Sequence, residues 1–370
     1  MSEIKAACDT ARLQKYMNMA LEEAKKAYII GEVPVGAVIV KDDNIIAKAH
    51  NTVEQDNNST RHAEMNVIRI ACEKLKVRSL HECEVYVTLE PCAMCTGAIM
   101  QARVGKLYFG AKDDTAGAVL SKIQLLDMPL GNRKTEYYPN ILEEECRILL
   151  TSFFSEVRTK FALMDGINVY KVSKNYFDND TVLLAKALLG SYIVRHINGE
   201  RLVAEIIETE AYCGIEDKGS HSFGGNRTPR TEVMFGPAGH AYIYLIYGMY
   251  NCLNFVTRPE GIPSAVLIRS VRPVEGFDTM AKLRFGTNDL DKKKKLSLTN
   301  GPGKLCMALG LTKQQNGLDL TSDELYIVRP HKFKTLDIVT TKRINIDYAE
   351  EAVHYPWRFY IKDNPYVSKK

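Results

Sequence analysis

The sequence predicts two successive α/β domains, and three observations predict them. At 370 residues the chain exceeds the roughly 150 residues that one ordinary hydrophobic core serves. Segments with apolar residues at helical spacing alternate with β-branched runs on both sides of residue 158. Hydrophobic residues make up 45% of the chain and charged residues 25%, with 24 Gly and 13 Pro. That is the balance of folded globular proteins, and it excludes collagen-like and disordered chains. No internal repeat relates the halves.

Residues 9–30 place Leu13, Tyr16, Ala20, Ala24 and Ala27 at helical spacing, and Gly31 follows where a helix would stop. VGAVIVKDDNIIAKAH puts β-branched residues on both sides of Asp42-Asp43-Asn44, the composition of a hairpin. A second helix is expected from near Thr60 to about Leu75. EVYVTLE (84–90) reads as a buried strand, and Pro91 fits the first turn of the helix after it, where its missing N–H costs nothing. KLYFGA (106–111) is another strand, and a helix from Ile141 closes the unit.

After Arg158 the periodicity breaks, so the expected boundaries are a first domain over 1–158, a linker over 159–170 and a second domain over 171–370. TVLLAKALLG reads as a helix ended by Gly190, SYIVRHINGERLVAEII as a strand pair around Asn198-Gly199, and AYIYLIYGMYNCLNFV as strands around Gly248. The run Lys292–Lys295 is expected to be a solvated loop.

Up to residue 160, 21 Lys and Arg face 22 Asp and Glu, and beyond it 28 face 23. This mild excess permits nucleic-acid binding without arguing for it. No apolar run approaches the ~18 residues of a membrane span, and the start of the chain lacks the basic-then-apolar order of a signal peptide, so a cytoplasmic protein without membrane contact is expected. Nine cysteines spread through a long chain do not read as a secreted disulfide framework. Cys92 and Cys95 form the one close pair and are to be tested as metal ligands.

His62-Ala63-Glu64 opens one expected helix and Pro91-Cys92-Ala93-Met94-Cys95 the next. Two helix starts side by side can present one imidazole and two thiolates to a tetrahedral ion, leaving its fourth position open for water. This combined His-x-Glu and Pro-Cys-x-x-Cys pattern is the known signature of zinc nucleobase deaminases. With GEVPVGAV (31–38), Asn51, VTLEPCAMCTGAIMQARV and LYFGAKD, residues 11–158 resemble the bacterial tRNA-specific adenosine deaminases. The resemblance implies a cytidine-deaminase-like α/β/α sandwich, a homodimer through this domain, and one Zn²⁺ held by His62, Cys92 and Cys95. It also implies Glu64 as the proton shuttle in converting adenosine to inosine. Asn51 matches the family's substrate-contacting Asn, and Asp113 the acidic residue of its FGAxD segment. One departure touches the implied tRNA anticodon-loop partner: the family usually has Asn-His before its last helix, and this chain reads Asn132-Arg133. Arg contacts phosphate without reproducing a histidine's hydrogen bonds. Cytidine, deoxycytidylate and guanine deaminases share the zinc constellation, so the residues define the chemistry more tightly than the base.

Residues 205–270 gather Glu208, Glu210, Tyr212, His221, Tyr242, Tyr244 and Tyr247. Aromatic faces with a histidine among them form a slot for a flat ring, and burying carboxylates without a task is costly. ETEAY, SHSFGGNRTPRTEVMFGPAGHAYIYLIYGMYNCLN, AVLIRSVRPVEG, NGPGKLCMALG and WRFY follow in order, so residues 171–368 resemble the alkyladenine (3-methyladenine) DNA glycosylases. The resemblance implies an α/β domain with a mixed sheet, no cofactor, and damaged double-stranded DNA as partner. Its implied reaction is hydrolytic excision of alkylated or deaminated purines, leaving the strand uncut. Carried over by position, Glu210 is the general base that activates water. Tyr212, His221 and Tyr244 hold the extruded base, Tyr247 wedges into the gap, Asn254 fills the place of a guanine amine, and Arg269 lies near the catalytic carboxylate. Glu208 is expected to be structural. A first half acting on free nucleosides or bases is an alternative. A binding protein with inactive folds would require loss of Glu64 or Glu210, and both are present.

Overall fold

The computed structural model describes residues 2–128, 134–159, 161–163, 166–331 and 336–369, with side chains from Thr10 onward. The chain divides into two compact units, 1–154 and 155–370.

In the first unit α1 (Ser2–Ile30) precedes a hairpin of β1 (Gly36–Lys41) and β2 (Asn44–His50). Asp42 and Asp43 both take positive φ, 48° and 58°, the conformation of a two-residue hairpin turn. Then come α2 (Ala63–Leu75), β3 (Glu84–Leu89), α3 (Ala93–Gln101), β4 (Lys106–Ala111), β5 (Glu136–Tyr138) and α4 (Glu143–Arg158). The sheet order is β2-β1-β3-β4-β5, with β1 antiparallel to its neighbours and β3, β4 and β5 mutually parallel. Consecutive residues Val38, Ile39 and Val40 are all fully buried. Both faces of the sheet are therefore covered, as an α/β/α sandwich requires. Helix α1 packs on β1, β2 and β3, and α2 on β1 and β2. Gly36 permits the first contact: a Cβ there would lie 2.0 Å from the Ala20 carbonyl oxygen.

The second unit holds β6 (Phe161–Ala162), β7 (Asn168–Lys171), α5 (Lys174–Phe177), α6 (Thr181–Ala187), β8 (Tyr192–Ile197) and β9 (Glu200–Cys213). After them come β10 (Ala241–Ile246), β11 (Tyr250–Thr257), β12 (Ser264–Glu275), α7 (Phe277–Phe285), α8 (Lys292–Ser297), α9 (Pro302–Ala308), β13 (Leu325–Pro330), β14 (Ile338–Thr341) and β15 (Arg358–Ile361). Its sheet runs β10-β11-β12-β9-β8-β13-β7-β6, with β15 also on β9 and β14 on β15. The fourteen-residue β9 is the spine, pairing with β12, β8 and β15.

Several expectations change against these elements. Residues 159–170, read as a linker, carry β6 and most of β7, which pair with each other while β7 pairs with β13. The mixed sheet is that of the first unit. The pairings described in the second unit are antiparallel, because hairpins such as β8–β9, turning at Asn198 and Gly199, replace helical crossovers. Pro91 lies outside α3, since Cys92 is extended (φ −70°, ψ 175°) and caps the helix. The lysine run is helix α8, whose N-terminus is satisfied by the Asp291 side chain accepting from the Lys294 N–H at 2.7 Å. Its four lysines are exposed, as expected. Asn132 and Arg133 lie outside the described residues. Among the described residues, no helix is long and apolar enough to cross a membrane.

Candidate active sites

Two of the three expected ligands in the first unit stand at helix starts. His62 is the N-cap of α2 and Cys92 the N-cap of α3, and neither side chain makes a capping hydrogen bond. Cys95 follows in the first turn of α3 and is buried. The His62 Nδ1 atom lies 3.5 Å from Cys95 Sγ and 3.8 Å from Cys92 Sγ, and the three donor atoms all fall within 4.8 Å of one another. Metal–nitrogen bonds of about 2.0 Å and metal–sulfur bonds of about 2.3 Å at tetrahedral angles put N and S roughly 3.6 Å apart. The trio therefore fits a tetrahedral ion, and among the described residues it is the one His/Cys/carboxylate group so placed. Hydrogen bonds with Cys95 and His62 hold the Cys92 thiol down to about 3, while the same sharing and burial push Cys95 up. Cys92 thus offers a thiolate, the form that binds metal.

Glu64 sits in the first turn of α2, 4% exposed, and burial pushes its carboxyl up to about 7. A carboxyl poised there exchanges protons readily at neutral pH. Asn51 follows β2 and is buried, and its Nδ2 donates to Glu32 Oε2 at 3.0 Å. Glu32, which orients this amide, was not singled out from the sequence. Asp113 is half-exposed and its Oδ1 accepts from the N–H groups of Thr115 (2.9 Å) and Ala116 (3.1 Å), so its side chain builds a turn.

Glu90 is the larger omission. Fully buried, it accepts from the N–H groups of Asp113, Val119, Leu120 and Ser121 and from the Ser121 hydroxyl. It thereby anchors the loop that bridges Cys92 at Gly117. A Cβ on Gly117 would lie 2.5 Å from the Glu90 carboxyl carbon. Its position just before Pro91-Cys92 is the signal that could have found it.

In the second unit, strand alternation puts Glu208, Glu210 and Tyr212 on one face of β9. Across the sheet the β12 register slips between Ile268, opposite Thr209, and Ser270, opposite Glu208. This bulge re-aims Arg269 between the two carboxylates. Its Nε donates to Glu208 Oε1 at 3.0 Å and its Nη1 to Glu210 Oε2 at 3.1 Å. Glu210 is fully buried. It accepts also from the Tyr212 hydroxyl at 2.9 Å and, on Oε1, from the Ile344 N–H at 2.8 Å.

Tyr212, Arg269 and Ile344 are in turn part of the wall of a cavity of about 700 Å³, which His221, Tyr244, Tyr247 and Asn254 also line. Glu210 lies directly behind that wall. His221 meets Tyr244 edge-on, with ring centroids 4.6 Å apart and planes at 82°. Its Nδ1 is 3.0 Å from the Tyr242 hydroxyl and its Nε2 is 3.3 Å from Arg230 Nη2. Arginine only donates, so Nε2 accepts and the proton sits on Nδ1. Burial, then Arg230, push the imidazole down to about 4, and it is neutral across the physiological range. The unfolded histidine, at its ordinary 6.5, binds a proton that the folded one does not. Stability from this residue is therefore fully present above about pH 6.5 and falls as pH drops toward 4.

Asn254 is buried and donates to the Tyr242 carbonyl at 3.0 Å. Tyr247 stands at the tip of the β10–β11 hairpin with φ 53°, 75% exposed. Met249, two residues on, is 69% exposed, an apolar companion that aromatic spacing alone does not single out. Arg230, 5.0 Å above the Tyr244 ring, was likewise missed. So was Arg343, paired through two bonds with buried Asp217 and stacked on Tyr212 at 4.7 Å.

The methylpurine-DNA glycosylase family model matches residues 175–365, and that of the MafB19-like deaminases matches residues 12–158. A 3-methyladenine DNA glycosylase of Alkaliphilus oremlandii is 52% identical over 202 residues, covering 54% of this chain and 100% of that protein. One of Clostridium acetobutylicum is 52% identical over 200 residues, covering 54% and 97%. A solved structure from work on A-to-I editing by tRNA deaminases at the wobble position aligns with 37% of this chain and 99% of its own. It has 42% sequence identity and a TM-score of 0.36.

Proposed function

We propose two hydrolytic reactions for this chain, which belongs to the methylpurine-DNA glycosylase family and carries a deaminase domain ahead of that family's segment. The second unit excises alkylated or deaminated purines, 3-methyladenine and hypoxanthine, from double-stranded DNA. The first unit deaminates adenosine to inosine in a tRNA anticodon loop, as a zinc enzyme and a homodimer. The protein works in the cytoplasm. The observation that carries this reading is the buried Glu210, held by Tyr212 and Arg269 at the wall of an aromatic cavity.

In the glycosylase reaction Glu210 takes the proton of a water as its oxygen bonds to the sugar C1′. The C1′–N bond breaks, and the base leaves with that electron pair. Tyr212, His221 and Tyr244 receive the extruded base, and Asn254 fills the space that a guanine amine would need. Tyr247 holds the duplex open. Tyr247→Ala should therefore weaken excision from duplex by about 1–3 kcal/mol, the worth of one base–aromatic stack, and leave excision from a single-stranded lesion near wild type. An equal loss on both substrates would place Tyr247 in the pocket instead of the gap.

In the deaminase reaction His62, Cys92 and Cys95 hold zinc. When bound, the ion makes water acidic enough to ionise near neutral pH. Glu64 carries one proton of the water to the adenine ring nitrogen and the other to the leaving amine; a C–O bond replaces the C–N bond at C6, and adenosine and water become inosine and ammonia. Asn51 and Asp113 contact the substrate. Purified protein should contain one zinc per chain and Cys92→Ser none, by metal analysis. Full metal content in Cys92→Ser would remove it from the ligand set.

The test of substrate class compares an anticodon stem-loop RNA with free adenosine, cytidine and guanine. Deamination confined to the stem-loop supports the tRNA reading. Turnover of a free nucleoside or base instead would make the first unit a salvage enzyme.

A further inference from the structure

Arg269 faces two buried carboxylates at once, Glu208 through its Nε and Glu210 through its Nη1. The structure supplies a third point. Ser368 Oγ lies 2.9 Å from Glu208 Oε1 and 3.4 Å from Arg269 Nη2. An arginine only donates, so the hydroxyl gives its proton to Glu208 and accepts from Arg269. The guanidinium is thus fixed by Nε on Glu208, Nη2 on Ser368 and Nη1 on Glu210.

The same serine's N–H donates to the other Glu208 oxygen at 2.7 Å. Arg358, from β15, adds Nε to Glu208 Oε1 at 2.7 Å, and its Nη2 donates to the Lys369 carbonyl. Four donors therefore converge on fully buried Glu208, two of them from one residue. With Glu208 satisfied in this way, Arg269 has a donor left for Glu210.

We infer that Ser368 is a positioning residue for base excision: through its hydroxyl it sets the rotation of Arg269 and hence the hydrogen bond that aligns Glu210. This rests on the reading of Glu210 as the base that activates water. Without the hydroxyl, Nη2 loses its partner and Glu208 loses a donor. Both changes draw the guanidinium toward Glu208 and away from Glu210. Ser368 lies more than 150 residues from Glu208 in sequence, and it meets the cavity wall through Arg269.

The experiment uses the full chain and a hypoxanthine-containing DNA duplex, with binding and single-turnover base release measured separately. The variants are Ser368→Ala, Ser368→Thr and Glu210→Gln, each checked for folding by its melting temperature. Misplacing a catalytic group by about 1 Å can cost up to about 10²-fold in rate, so Ser368→Ala is expected to release base roughly tenfold more slowly. Its duplex affinity should stay within about twofold of wild type, because it removes no DNA contact. Ser368→Thr keeps both hydroxyl bonds and should restore the rate. Wild-type release by Ser368→Ala, with Glu210→Gln inactive, would overturn this inference and leave the role of Glu210 standing. Equal slowing by Ser368→Ala and Ser368→Thr would also overturn it, since the hydroxyl would then not be the operative group. Base release by Glu210→Gln at the wild-type rate would overturn both.

Discussion

Glu210→Gln is expected to bind lesion duplex about as well as wild type and to release base about 10²- to 10⁴-fold more slowly, the range in which positioned general bases contribute. The amide keeps the shape of the carboxylate but has no basicity with which to accept a proton from water. It also has one acceptor oxygen where the native side chain uses two, one for Ile344 and the other for Tyr212 and Arg269. The substitution therefore carries a stability cost. Removing one partner of a buried ion pair costs about 3–5 kcal/mol, although Arg269 keeps Glu208 here. Melting temperature has to be followed alongside single-turnover release from a hypoxanthine or 3-methyladenine duplex. A folded variant that releases base at the wild-type rate would show that Glu210 does not activate the water.

Glu64→Ala is expected to keep its zinc and to lose deamination by about 10²- to 10⁴-fold. The carboxyl is buried and pushed up to about 7, so its ionisation is unfavourable in the metal-free fold. Its removal should leave the fold standing. Metal content and ammonia release measured on the same preparation separate this variant from Cys92→Ser, which is expected to lose both. Near-wild-type deamination by Glu64→Ala would place the proton shuttle elsewhere.

Much of this arrangement is legible in the sequence where chemistry and local backbone signals coincide. His62 and Cys92 are N-caps, so the ligands adjoin the helix starts that periodicity locates. Asp42-Asp43 and Asn198-Gly199 supply the positive φ that two-residue hairpin turns demand. The elements that escaped notice are those whose partners lie far away in the chain. Glu90 acts on a loop some thirty residues later. Arg269 is different: the resemblance places it near the catalytic carboxylate, while the register slip in β12 that brings it there leaves no trace in the alternation. Ser368 acts through a side chain on another strand. The two-residue strand β6 leaves no period to read. The lysine run becomes helix α8 because Asp291, just before it, caps the N-terminus.

One chain should carry two hydrolytic sites with separate requirements, a metal-dependent one built on His62, Cys92 and Cys95 and a metal-independent one built on Glu210. Removing metal with a chelator separates them when both reactions are followed in the same sample, inosine formation in a stem-loop RNA and hypoxanthine release from duplex DNA. Deamination should disappear with the zinc and return when zinc is restored, while base release continues at its original rate throughout. Deamination that survives complete metal removal, or base release that falls in step with the metal, would overturn this division between the sites.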